Sequence, residues 1–132
     1  MRFASSDSRQ RLGRQSEELA RRFLAAQGYR IDAANVRFPV GELDVVGREG
    51  RTLCFIEVRA VTSDRWGGAA ATVNARKQRR VIQAARWYLA HHPVPAAEIR
   101  FDVLAIDWSD GVTPAIQLIR GAFDVGSAGL NL

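Results

Sequence analysis

Gly41-Glu42-Leu43-Asp44-Val45-Val46 and Leu53-Cys54-Phe55-Ile56-Glu57-Val58-Arg59, joined by the polar segment Gly47-Arg48-Glu49-Gly50-Arg51, decide how this chain is read. Both apolar runs are short, rich in β-branched and aromatic residues and bounded by glycine, which predicts the two strands of a buried hairpin. Each carries a carboxylate, Asp44 or Glu57, that is costly to bury without a partner. Three resolutions are open: an ion pair with Arg59 or Arg37, projection from a strand end into water, or a shared divalent cation. Mg²⁺ prefers hard oxygen ligands and often uses only one or two protein carboxylates, which leaves positions for water and a substrate phosphate. Phosphodiester hydrolysis is therefore the leading chemistry expected. Strand alternation puts Leu53, Phe55, Glu57 and Arg59 on one face and Cys54, Ile56, Val58 and Ala60 on the other, so Glu57 and Arg59 are neighbours.

The flanking segments supply the rest of an α/β pattern. Leu12, Leu19, Ala20, Phe23 and Leu24 recur at helical spacing, predicting a helix from Ser8, its expected cap, to Gln27, closed by Gly28. Glu17 flanks the apolar stripe of that helix and faces either the sheet or a surface arginine, Arg14 or Arg21. Tyr29 to Phe38 reads as a first strand, and a glycine-containing loop from Val61 to Ala71 offers Trp66 either as a base-stacking residue or as an ordinary tryptophan. Thr72 to His91 is the clearest helix, apolar at Val81, Ile82, Ala85, Tyr88 and Leu89 and basic at Arg76, Arg79, Arg80 and Arg86. Trp87 falls among those arginines, a face suited to a nucleic-acid backbone or simply to water. Lys77 borders the apolar stripe and can reach a site beneath the helix. His91 and His92 project in different directions and read as helix-end residues rather than joint metal ligands. Strands at Ile99 to Trp108 and Ala115 to Arg120, separated by the Ser109-Asp110-Gly111 turn, complete the pattern.

A length of 132 residues fits one domain, 1–132, with a core at about 8–124 and flexible ends. The 47% hydrophobic content excludes general disorder, and no apolar run approaches the roughly 20 residues of a membrane span. The start of the chain lacks the apolar centre of a secretory signal, so a soluble, cytoplasmic protein is expected. Cys54, the single cysteine, reads as a small core hydrophobe. A net charge of +5 and a pI near 10.6 favour an anionic partner, most simply nucleic acid. Lys77 is the only lysine among 19 Lys and Arg residues; the arginine excess suits phosphate recognition but also follows from genome composition.

Gly13-x-x-x-Glu17-x-x-Ala20, Gly28-Tyr29, Asn35-x-Arg37, Gly41-Glu42-Leu43-Asp44, Phe55-Ile56-Glu57-Val58, Lys77 and Arg100-Phe101-Asp102-Val103 occur in an order and spacing that resembles the bacterial YraN family, also called UPF0102. The resemblance covers roughly residues 12 to 124. It implies a restriction-endonuclease-like fold of the PD-(D/E)xK type, similar to archaeal Holliday-junction resolvases: a central mixed sheet flanked by helices in the order αβββαββ. It further implies that Asp44 and Glu57 ligate Mg²⁺ (or Mn²⁺) and that Glu17 supports the site from its helix through metal-bound water; the partner expected is nucleic acid, DNA ahead of RNA. Relatives that cut junctions act as dimers, so a homodimer is an open expectation. The family normally has lysine two residues after the second acid, where this chain has Arg59, and a basic residue where it has Val61. Arginine stays protonated and offers a planar fork rather than a compact charge. Either Arg59 stabilises developing phosphate charge, or Lys77 supplies the missing function, or the chain is a noncatalytic nucleic-acid-binding protein. Carboxylates serving only salt bridges in a protein-interaction factor are the remaining alternative.

Overall fold

The computed structural model describes residues 2–61, 73–93, 95 and 98–126, the side chains of 2–9 and of Val61 excepted. The elements run α1 (Arg2–Ala26), β1 (Arg30–Phe38), β2 (Gly41–Glu49), β3 (Thr52–Val61), α2 (Ala75–His91), β4 (Glu98–Asp107) and β5 (Ala115–Phe123). This is the αβββαββ order expected of the chain. The five strands form one sheet in sequence order, antiparallel except for the parallel pair β3 and β4. A parallel pair cannot be joined by a tight turn, and α2 provides the crossover.

The two helices cover opposite faces of the sheet. Ala20 and Leu24 of α1 pack with Val45, Cys54, Ile56, Leu104 and Ile106. Val81, Ile82, Ala84, Ala85 and Tyr88 of α2 pack with Leu43, Val46, Leu53, Phe55, Phe101 and Val103. Adjacent residues such as Val45 and Val46, or Cys54 and Phe55, thus enter different cores, as two-residue alternation requires. Each fully buried side chain, Phe55 or Ile82 for instance, contributes about 1.5–3 kcal/mol.

Several boundaries differ from the sequence expectation. α1 starts at Arg2, so Ser8 lies inside the helix and does not cap it. Its C-terminus is as expected: Gly28 sits at φ 100°, Tyr29 N–H donates to the Leu24 carbonyl and Gly28 N–H to that of Ala25. These are the two bonds of a glycine-closed helix end. β2 and β3 continue past the expected turn, with Gly47 opposite Cys54 and Glu49 opposite Thr52, leaving only Gly50 and Arg51 between them. Gly47 is a strand residue for a steric reason: a Cβ there would lie 2.9 Å from the Arg30 carbonyl oxygen. α2 begins at Ala75, not Thr72, with Asn74 as its cap. Trp66 and the rest of its loop, residues 62–72, and the tail from residue 127 lie outside the described residues.

A bend in the β1–β2 hairpin positions everything that follows. Asn35 adopts φ 54°, a left-handed conformation that asparagine tolerates better than most residues. The register is uninterrupted there, with Ala34 opposite Val45 and Val36 opposite Leu43. The alternation nevertheless switches, because Ala33 and Val36, and Leu43 and Val46, enter the same core although they are three residues apart. Beyond Asn35 and Asp44 the hairpin tip leans onto α2. Gly41 comes so close that a Cβ would sit 3.0 Å from the Arg80 carbonyl oxygen, and the Phe38 ring lies 5.9 Å from Trp87.

Candidate functional site

The site forms where β2 peels away from β3. Their last backbone pair is Val45 with Ile56, and at the next position Asp44 substitutes its side chain: Oδ2 accepts the Val58 N–H at 2.9 Å. Opposite, Glu57 is on the α2 face of β3 and is only 2% exposed. The parting strands therefore open a notch with two carboxyl groups in it.

Lys77 closes the notch from above, its Nζ 3.0 Å from Glu57 Oε1. It is placed by the start of α2, where the Asn74 side chain accepts the Lys77 N–H at 2.9 Å and fixes the first turn. Lys77, at the border of the helix's apolar stripe, is thereby directed at Glu57. Arg37 serves a different acid, pairing with Glu42 at 3.1 Å.

The electrostatics show two acids sharing too little positive charge. Glu57 is pushed up to about 8, first by burial and then by the charge of Asp44, with Lys77 pulling the other way. Asp44 is also raised, chiefly by burial, against the lowering effects of the Val58 N–H and Lys77. One ammonium cannot neutralise two desolvated carboxylates, so a proton is retained between them. Two adjoining hard oxygen donors that share a proton where a second cation could stand match the donor chemistry of Mg²⁺ or Mn²⁺. The protein's share of ligands would be two: no group of three or more His, Cys, Asp or Glu side chains is arranged to hold a metal among the described residues. Glu17 is half-buried on α1, the helix packed on the other face of the sheet, and is not brought into a metal-binding group with Asp44 and Glu57.

Around the notch the charge is positive. Arg59 from β3, the cap residue Asn74, and Arg76, Lys77 and Arg80 from α2 line an open cavity of about 390 Å³. Lys77 and Arg80 also border a second cavity of about 390 Å³, with Arg37, Phe38, Gly41, Glu42 and Val81 on its other sides. Arg76 and Lys77 stand in the first turn of α2, which has no acidic residue, so their charge adds to the positive end of the helix dipole. Such an arrangement holds itself together poorly and attracts anions well. The four arginines of α2 are divided: Arg76 and Arg80 line the cavities, whereas Arg79 and Arg86 are exposed farther round the helix. Two contributors escape the sequence reading, Asn74 and the hairpin-tip residue Gly41. Asparagine's preference for the cap position identifies the first once the helix is started at Ala75; nothing local identifies the second, whose partner is 39 positions away in sequence.

Away from the notch, a buried polar cluster ties the structure together. Asp102, 0% exposed, accepts from the Tyr29 hydroxyl at 2.8 Å, the Arg100 guanidinium at 2.8 Å and the Gly121 N–H at 2.9 Å. Arg100 and Arg120 both bind Glu49 at 2.7 Å, holding its carboxyl below the usual range. The Cys54 thiol beside Arg100 is buried and pushed up to about 12, as an inert core residue should be.

Residues 16–106 match the model of a family described as "Uncharacterised protein family UPF0102". A UPF0102 protein of Desulfosudis oleivorans is 39% identical over 122 residues, covering 92% of this chain and 97% of its own. One from Anaeromyxobacter dehalogenans is 46% identical over 119 residues, covering 89% and 87%, and one from Myxococcus xanthus 40% over 126 residues, covering 96% and 99%. The matched segment spans α1 from Ser16 through Ile106 of β4 and so contains Asp44, Glu57, Arg59 and Lys77. On a family match across most of its length and on relatives that align nearly end to end, the chain belongs to the UPF0102 family.

Proposed function

We propose that the protein is a Mg²⁺-dependent endonuclease acting on DNA, with its site in the notch between β2 and β3. The observation that carries this reading is the convergence of Asp44 and Glu57 beneath Lys77, at the edge of a cavity lined by arginines. The resemblance of the Gly41–Asp44 and Phe55–Val58 motifs to PD-(D/E)xK nucleases points the same way. In this reading Asp44 and Glu57 hold the cation, which when bound supplies Lewis acidity toward a phosphate oxygen.

The chain's own residues do the remaining work. Arg59 and Arg76 face the cavity and bind the phosphodiester, the planar guanidinium of Arg59 spanning two of its oxygens. Lys77 is tied to Glu57 while that carboxylate has no other cation. Once Glu57 is engaged elsewhere, the ammonium is available to orient the attacking water and offset the charge that grows on the phosphate. Lys77 thereby takes the part that a lysine at position 59 plays in the wider pattern. The basic surface beyond the notch contributes sequence-independent, salt-sensitive affinity.

The test is cleavage of a panel of linear, flapped and four-way DNA, with structured RNA beside it, in Mg²⁺ or Mn²⁺. Wild-type protein is expected to cut DNA, with Asp44→Asn losing about a thousandfold or more and Lys77→Ala about a hundredfold. Salt-sensitive binding without cutting, together with activity gained by Arg59→Lys, would instead identify a nucleic-acid-binding protein whose site is disabled at Arg59.

A further inference from the structure

Trp87 is 40% exposed on α2, an unusual position for so large an apolar surface. It is not isolated. The His91 ring lies 5.9 Å away and nearly parallel, at 12°, and Phe38 of the hairpin tip is 5.9 Å from Trp87 and 6.2 Å from His91. The three rings form a compact aromatic platform at the surface. Its place on the helix is set by sequence spacing: Arg76, Arg80, Trp87 and His91 follow one another at four, seven and four residues and share a stripe. That stripe begins at the cavity beside Lys77 and passes the second cavity, which Arg80 and Arg37 both line, before reaching the platform. The ten residues from Lys77 to Trp87 correspond to about 15 Å along the helix, a span that a few nucleotides of strand can cover.

The order of chemistries along the stripe is therefore cation site, guanidinium groups, aromatic faces. Guanidinium groups alone would serve paired or unpaired DNA equally, because both present phosphates. Aromatic faces are useful only to a base whose own face is not already covered, and paired bases inside a duplex are stacked on their neighbours. We propose that Trp87, supported by His91 and Phe38, is a stacking subsite for an unpaired base. On this inference the preferred substrate is DNA with a single-stranded extension adjoining the phosphate at the notch. Arg80 carries its backbone past Glu42, the one acid lining that cavity among the described residues, whose charge is offset by its pairing with Arg37. The inference rests on the endonuclease reading for the position of the scissile phosphate, and the stacking itself is a matter of binding.

Fluorescence anisotropy separates the two. A labelled blunt duplex and the same duplex bearing a single-stranded thymidine extension are titrated in EDTA, where nothing is cut, with wild-type protein, Trp87→Ala and Trp87→Phe. Wild type should prefer the extended DNA by about tenfold, within the range for stacking one base on an aromatic ring. Trp87→Ala should lose the preference while retaining its affinity for the blunt duplex, which also shows that it is folded, and Trp87→Phe should recover most of it. Equal binding of the two DNAs by wild type, or a preference that survives Trp87→Ala, would overturn the subsite. The same DNAs incubated with Mg²⁺ report independently on the nuclease. Cleavage dependent on Asp44 without the tryptophan-dependent preference leaves the nuclease standing and removes the subsite. The preference without cleavage does the reverse.

Discussion

Glu57 and Asp44 face each other at a standing energetic cost, and that cost has a measurable sign. A buried acid raised from its ordinary value to about 8 keeps a proton in the folded state that the unfolded chain has already released. Where the folded state binds more protons, stability falls as pH rises. The window runs from the ordinary carboxylate range up to about 8. Thermal melts of wild-type protein in EDTA should therefore show Tm dropping between pH 5 and pH 8. Asp44→Asn keeps an oxygen for the Val58 N–H but removes the opposing charge, and at pH 8 it should melt about 3–6 °C above wild type. A Tm unchanged by that substitution at pH 8 would mean that the two carboxyls do not repel each other.

At the scale of elements, the notch depends on the hairpin bend and on the start of α2. Gly41→Ala introduces a Cβ 3.0 Å from the Arg80 carbonyl oxygen, and backbone cannot move aside as a side chain can. The expected result is a destabilisation of about 1–3 kcal/mol in urea unfolding, with weakened DNA binding as the tip separates from α2. Asn74→Ala removes the cap that fixes Lys77 and should cost about 1 kcal/mol by the same measurement. The strands and helices are readable in the sequence because periodicity is strong: Leu53, Phe55 and Glu57 alternate with Cys54, Ile56 and Val58, and Val81, Ala85 and Tyr88 repeat at helical spacing. Both acids and Lys77 are readable for the same reason, since each interrupts or borders an apolar pattern. The bend is not, because it rests on a positive φ at a single residue, Asn35, inside a run otherwise read as one continuous strand. Nor does local sequence indicate that Gly47 extends β2, since its need for glycine comes from Arg30 on the neighbouring strand.

For the whole molecule, the sheet is both the scaffold of the notch and a connection between its covering layers. Asp102 gathers Tyr29 from the link between α1 and β1, Arg100 from β4 and the Gly121 N–H from β5, and Arg100 reaches Glu49 at the end of β2. Asp102→Ala would leave the Tyr29 hydroxyl and the Gly121 N–H without their acceptor and Arg100 with Glu49 alone, with an expected cost of about 1–3 kcal/mol for each orphaned donor in urea unfolding. Because Glu49 is held below its usual range, its contribution is complete above the ordinary carboxylate value and is lost as pH falls through its lowered one. Low pH thus loosens this cluster, whereas high pH strains the notch. No helix among the described residues is long and apolar enough to cross a membrane. The proposed function stands or falls on whether Asp44 and Glu57 together hold a divalent cation. Titration calorimetry with Mn²⁺ at pH 8, on wild-type protein and on Asp44→Asn, tests it most directly. Saturable binding of one ion per chain with proton release, lost in the variant, is the expected result; binding that is absent in both, or the same in both, would contradict it.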